Sequence, residues 1–352
     1  MNADLSPEDS FRLQVLLAQD LKAIRIDESS LTLYALTDKG EASIPLTANC
    51  REDKYLRQVR ELLSGHALGS PGGYPVYLTR WTRHGQMEGL NLGKLLLTGE
   101  PEAVVAVVHS PGLTDELARY AWWTLPTIEN ARLMLRRPAV AAGPMGQVLA
   151  DFLVEHLPFL QDDHLGIIDT VAVLIHSGAV APSGLETMWK WGRRSNTHYV
   201  AFLEMAAGHL PLPLAAHPQH AAVSAAFASQ LAAGHPAVCA LERALSSQGQ
   251  TLLDAAAEIL ERPETQEVVS RTLNAIGRYF SGELDWNQTD QPLCDACQAY
   301  APKLEAAARL ARCNDSLVQT IFARSTAIGS LMRRKIAPVV APLQQDIAEL
   351  RR

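Results

Sequence analysis

Two cysteines three residues apart, Cys294 and Cys297 in Cys-Asp-Ala-Cys, have the types and spacing best suited to chemistry in this chain. They follow Pro292, which opens a helix. That places them in a first turn whose unpaired N–H groups and positive dipole end favour a thiolate. Such a pair can exchange disulfides or carry a persulfide. Zinc fits poorly, because a structural site needs four ligands and only Cys313 is close in sequence. A thioredoxin-type site would need a βαβ setting, which the flanking sequence does not offer. The plain alternative is two small apolar side chains packed between helices. No metal and no cofactor is expected.

A second group reads as a surface and not as a reaction centre. In Gly69–Met87, GSPGGYPVYLTRWTRHGQM, Gly69, Pro71, Gly72 and Gly73 exclude a regular element at the start. If Pro75 opens a helix, Tyr74, Tyr77 and Trp81 fall near one face, with Arg80 and Arg83 neighbours at i, i+3. Aromatic rings beside guanidinium groups suit the docking of an anion or another chain, with Arg80 and Arg83 exposed and Trp81 packed. Single-stranded RNA is the weaker choice of partner, since the net charge of −7 opposes it. His217 and His220 flank Pro218-Gln219 with no carboxylate or cysteine near them in sequence, and read as loop and cap residues. Within Trp122-Trp123 and Trp189-Lys190-Trp191, one ring of each pair is expected in the core and one at its rim. Arg193-Arg194 complements a helix end. GxSxG, HExxH and Walker A patterns do not occur, so no enzymatic activity is expected.

The elements that position these residues are mostly helical. Ser6-Pro7-Glu8-Asp9 starts a helix that runs to about Ala18 and is expected to bury Phe11 and Val15 with neighbouring leucines. Short strands follow over Ala23–Asp27, Leu31–Leu36 and Glu41–Leu46, with a hairpin turn at Asp38-Lys39-Gly40. A helix over Glu52–Leu63 places Leu56, Val59 and Leu63 at core spacing, with Gly65 as its stop. From Gly99 the chain becomes a series of short amphipathic runs separated by Pro, Gly or Asn, for example Met145–Leu157 with a stripe of Val148, Phe152 and Leu153. Ala150–Phe159 and Val200–Leu212 echo each other faintly. The fold class is therefore mainly α: an irregular array of helical pairs, HEAT-like α-solenoid or bundle, behind a small N-terminal α+β unit. The divisions fall at 1–98, 99–285 and 286–352. In the last, Pro302 breaks or kinks one helix, while Pro338 and Pro342 interrupt another that carries Leu317, Ile321, Ile328 and Leu331.

Composition agrees with a soluble globular protein, at 47% hydrophobic and 20% charged residues. Five scattered cysteines point to a reducing compartment, and the acidic N-terminus lacks a signal-peptide layout. No apolar run approaches the ~18 residues of a membrane span. The expected location is the cytoplasm, with no membrane partner.

Longer strings carry a resemblance. LSPED near the start, AIRIDE, GSPGGYPVYLTRWTRHGQM, GEPEAVVAVVHSPGLTDELARYAWW and PLCDAC resemble the DsrS family over nearly the whole chain, from Leu5 into the C-terminal helix. These are soluble accessory proteins encoded with the reverse dissimilatory sulfite reductase system of sulfur-oxidising bacteria. The resemblance implies a cytoplasmic role supporting or regulating oxidation of stored sulfur; it does not imply an enzyme, and it carries over no catalytic residues. The reading taken here is a non-enzymatic protein whose helical array presents a surface to another macromolecule of that pathway, with a protein as the expected partner. The alternative is a thiol-based sulfur carrier or redox protein acting through Cys294 and Cys297. Mass spectrometry after incubation with a persulfide donor separates the two. The binding protein should show no stable adduct at these positions, and pathway activity should be normal in Cys294→Ser/Cys297→Ser. An adduct confined to one of them would favour the carrier.

Overall fold

A computed structural model describes residues 5–69, 92–160, 163–282 and 296–352, with side chains in the last segment from 298 onward. The chain is mainly helical, with a small three-stranded antiparallel sheet near the N-terminus. Contacts cluster into two units, Met1–Glu155 and His156–Arg352.

In the first unit, α1 (Pro7–Leu17) begins where the cap residues require. The Ser6 hydroxyl accepts the Asp9 N–H at 3.2 Å, and Pro7 takes the first turn. The strands β1 (Leu21–Asp27), β2 (Thr32–Thr37) and β3 (Gly40–Pro45) form a meander in the order β1-β2-β3. Gly40 takes φ +120° at the β2–β3 turn, a value open to glycine and costly for other residues. Ile24 pairs with Ala35, and Leu33 with Ile44, which aligns the face that packs on α1 and α2 (Glu52–Leu68). On the other face Arg25 sits against Tyr34 and Trp123, 4.8 Å from each ring centroid, and pairs with Glu41 at 3.2 Å. Trp123 belongs to α5, which packs on β1. At the edge of β1 the Ile24 N–H donates to the Leu96 carbonyl at 2.8 Å.

Two expectations change here. Phe11 and Val15 are exposed, and α1 instead buries Asp9, Leu13, Leu16 and Leu17. The cause is Asp9, which has no solvent exposure. Its carboxylate accepts the Tyr55 hydroxyl and, at 2.8 Å, the Thr47 N–H. A buried carboxylate must keep such donors, and holding them turns the helix so that the 9, 13, 16, 17 stripe faces inward. The second helix passes Gly65 and stops at Gly69, which takes the left-handed conformation at φ +62°. Tyr55, Ser64 and Ala67 join the expected Leu56, Val59 and Leu63 on its buried side.

The unit continues through α3 (Leu92–Leu95), α4 (Pro101–His109), α5 (Asp115–Thr124), α6 (Ile128–Leu135), α7 (Pro138–Ala141) and α8 (Pro144–His156). Thr114 and Thr127 cap α5 and α6 through their hydroxyls. Trp122 and Trp123 are both half-buried, so this pair is not split between core and rim. The Trp122 edge meets Phe152 at 4.6 Å, and Trp123 Nε1 donates to Glu41. Val148 is exposed, while Met145, Leu149, Ala150 and Leu153 supply the buried stripe of α8.

The second unit comprises α9 (His164–Ser177), α10 (Pro182–Trp191), α11 (Thr197–Met205), α12 (His220–Ala226), α13 (Ala228–Ala232), α14 (Pro236–Leu245), α15 (Ser247–Glu261), α16 (Gln266–Ser281), α17 (Ala296–Leu310), α18 (Ser316–Phe322) and α19 (Gly329–Arg351). Its strongest packing joins α9 with α11, α14 with α17, α17 with α19, and α11 with α16. A solenoid repeat touches only its neighbours, whereas α11 reaches five helices ahead, so this unit closes as a bundle. Pro302, Pro338 and Pro342 all lie inside helices that continue past them. Each removes a backbone donor, and packing on both sides compensates: α19 buries Met332, Ile336, Val340, Leu343, Ile347 and Leu350. Leu317, Ile328 and Leu331 are exposed, contrary to the stripe expected for them. Among the described residues, no helix is long and apolar enough to cross a membrane.

Tyr55→Phe should leave the Asp9 carboxylate buried without its hydroxyl donor. A loss of about 1–3 kcal/mol of unfolding free energy is expected in urea denaturation. A change near zero would mean that Asp9 does not depend on the hydroxyl.

Candidate functional site

The surface residues singled out above, Tyr74, Tyr77, Arg80, Trp81 and Arg83, lie outside the described residues, as does Cys294. Cys297 falls in α17, with its side chain likewise outside them. Two of the described thiols, Cys239 and Cys313, are poor nucleophiles. Burial raises the pKa of Cys239, and it pushes the Cys313 thiol up to about 12. Cys313 is held where its carbonyl lies against Gly277, at a spacing that leaves no room for a Cβ. The His217–His220 pair separates in space by role. His217 is buried and accepts the Gln219 N–H on Nδ1, while His220 Nε2 meets Glu242 at 2.9 Å. No group of three or more metal-ligating side chains is present among the described residues.

The structure does bring together a set that spacing does not reveal. A cleft of about 510 Å³ in the second unit is lined by Leu157, Pro158, His164, Ile167, Trp191, Arg194, Ser195, His198 and Glu264. Its floor is the start of α11. This helix is buried on every side, with all residues from Thr197 to Leu203 inside the core. Polar groups at its start have little water to turn to. Glu264 reaches them from the turn between α15 and α16, binding Ser195, the Asn196 N–H just before the helix and the Thr197 hydroxyl. Its Oε1 accepts the Asn196 N–H at 3.2 Å. Its Oε2 accepts the hydroxyls of Ser195 (3.3 Å) and Thr197, and lies 3.2 Å from His164 Nδ1. Asn196 adds a bond from Nδ2 to the Arg262 carbonyl at 2.8 Å.

A histidine, a carboxylate and two hydroxyls within reach of one another invite comparison with a hydrolytic triad. The geometry is different. In a triad the acid and the nucleophile contact opposite nitrogens of the ring. Here Glu264 and Thr197 both meet Nδ1 of His164, the latter at 3.3 Å, and the hydroxyls are tied to the carboxylate. Thr197 is also fully buried. The arrangement anchors a helix start.

His198 stands beside this anchor. Its Nδ1 lies 3.2 Å from the Ser195 carbonyl, which only accepts, so Nδ1 carries the proton. Burial lowers its pKa below the ordinary 6.5, against a smaller upward pull from that carbonyl bond and from Glu264. Trp191 meets its ring edge-on at 5.9 Å. Of the tryptophan pair on α10, Trp189 is in the core against Phe202 and Trp191 is at the rim, as expected.

No family model, curated protein or solved structure matches the chain.

The far end of α11 is held by charge as well. Arg271 of α16 forks onto Glu204, with Nε 2.9 Å from Oε1, and reaches Asp169 of α9 at 3.3 Å. The Glu204 bonds hold the guanidinium pKa above its usual value, outweighing burial.

The pH dependence follows from His198. In the unfolded chain its ring takes a proton near pH 6.5, and in the folded chain only at lower pH. Its stabilising contribution is complete above 6.5 and is lost as pH falls through and below that value. His217, whose pKa burial also lowers, contributes in the same direction. The urea midpoint should drop between about pH 7.5 and pH 5.5, and His198→Gln should reduce that drop. An unchanged drop in the variant would assign the effect elsewhere.

Proposed function

We propose that this chain is a DsrS-type accessory protein: cytoplasmic, non-enzymatic, and supporting or regulating oxidation of stored sulfur by the reverse dissimilatory sulfite reductase pathway. The observation that carries this reading is the set of long strings GSPGGYPVYLTRWTRHGQM, GEPEAVVAVVHSPGLTDELARYAWW and PLCDAC. It acts by binding a protein of that pathway. The polar cluster at Glu264 is occupied in anchoring a helix, which suits a protein that binds.

The proposed contact surface is the aromatic and basic group Tyr74, Tyr77, Arg80, Trp81 and Arg83. Cys294 and Cys297 remain the basis of the alternative, a sulfur carrier. RNA is the less favoured partner for the same basic group, given the net charge of −7.

The test uses the intact protein as bait in extracts of sulfur-grown cells. It should capture a protein of the sulfite reductase pathway. Arg80→Glu/Arg83→Glu should lose that capture while stability stays within about 1 kcal/mol, as for most surface changes. Equal capture by the variant would remove this surface. Recovery of RNA in place of a pathway protein would overturn the protein-partner reading.

A further inference from the structure

The cleft beside Glu264 retains binding capacity after the helix anchor is accounted for. One side is an apolar wall of Leu157, Pro158, Ile167 and the Trp191 ring. The other side holds polar atoms that the fold leaves free, the guanidinium of Arg194 and the Nε2 atoms of His198 and His164. Since Nδ1 of His198 is committed to the Ser195 carbonyl, Nε2 keeps its lone pair, and Nδ1 makes the ring's one hydrogen bond among the described residues. His198 is only 7% exposed, so this acceptor belongs to the lining and not to open solvent. Arg194 follows α10 at the mouth of the cleft, exposed and with no ion-pair partner among the described residues. Its neighbour Arg193 lies by Tyr199.

Among the described residues, the charges facing the cleft leave Arg194 without an acidic partner. Glu264 is the acid in the lining, and four donors already share its carboxylate. Asp163 caps α9, its Oδ1 accepting the Gly166 N–H at 2.9 Å. Three helices begin around this rim, α9 at His164, α11 at Thr197 and α16 at Gln266, each with the positive end of its dipole there. The two carboxylates answer the first two. What is left is one cation, the Nε2 acceptors of His198 and of the more exposed His164, and an apolar wall that includes an indole.

We propose that this cleft binds a small planar organic acid, its flat body against Trp191 and Ile167, its carboxylate on Arg194, and a hydroxyl or N–H donated to His198 Nε2. A volume of about 510 Å³ accommodates one or two rings with their substituents. A neutral apolar molecule would leave Arg194 unanswered, and an acid with no donor would leave Nε2 unpaired.

The probe is 4-hydroxybenzoate, titrated onto the full chain and followed by ligand-observed saturation-transfer NMR. Binding should saturate. Benzoate, which lacks the donor, and 4-hydroxybenzyl alcohol, which lacks the anion, should each bind at least about fivefold more weakly, the low end for a charge-assisted or buried hydrogen bond. Arg194→Ala and Trp191→Ala should weaken 4-hydroxybenzoate by a similar factor, and Arg194→Lys should restore part of the loss. Arg194 is exposed, so its variants keep the test valid if Trp191→Ala fails to fold. Lys190→Ala, a nearby change outside the cleft, should have no effect. Absence of saturation, equal binding of all three probes, or equal weakening by Lys190→Ala and Arg194→Ala would overturn the proposal. The result is independent of partner capture, which relies on residues elsewhere in the chain.

Discussion

A helix with no solvent-facing side must have its end groups satisfied by the protein, and α11 imposes that demand on the whole second unit. Seven consecutive residues, Thr197–Leu203, are buried. Glu264 supplies acceptors at the start, and Arg271 fixes the end by gripping Glu204 while reaching Asp169. Both clamps come from outside the helix, one preceding α16 and one within it. The packing of α9, α11 and α16 is thereby specified by polar geometry as well as by apolar contact. Removing either clamp would leave a polar group in an interior where it has no water to turn to.

The first unit uses the same device on a smaller scale. Asp9 is an acid in a first helical turn, where sequence rules assign it a solvated role opposite the dipole. It is instead buried with Tyr55 and the Thr47 backbone. That contact rotates α1, exposing Phe11 and Val15. In both units, a carboxylate binds residues distant in sequence and so fixes the placing of a helix start.

Local chemistry was therefore legible in the sequence, and long-range chemistry was not. Ser6 with Pro7, the Asp38-Lys39-Gly40 turn, the three strands and the mainly helical remainder all follow from rules that act over a few residues. Gly65 gave a false stop because the glycine that can halt α2 is Gly69. Pro338 and Pro342 were expected to interrupt a helix, yet packing along α19 outweighs two missing donors. Trp191 and Arg194 stood out individually, but no spacing rule connects them to His164 and Glu264, which a hundred residues of chain separate. A single acid between helices, in Arg-Pro-Glu-Thr, looks like an ordinary loop residue until the fold places it under α11.

One feature of the small sheet bears on how this protein behaves when concentrated. A three-stranded meander has two unpaired margins. On the β3 side, Glu41 and Pro45 make poor partners for an incoming strand, one by charge and one by lacking a donor. On the β1 side, among the described residues, Leu-Lys-Ala-Ile-Arg-Ile-Asp is covered at Ile24 by a single backbone bond from the turn after α3. Loosening of that turn would bare the backbone donors and acceptors of this strand, ready to pair with its copy in another molecule. Self-association and precipitation would then begin at this margin, with the helical unit still intact.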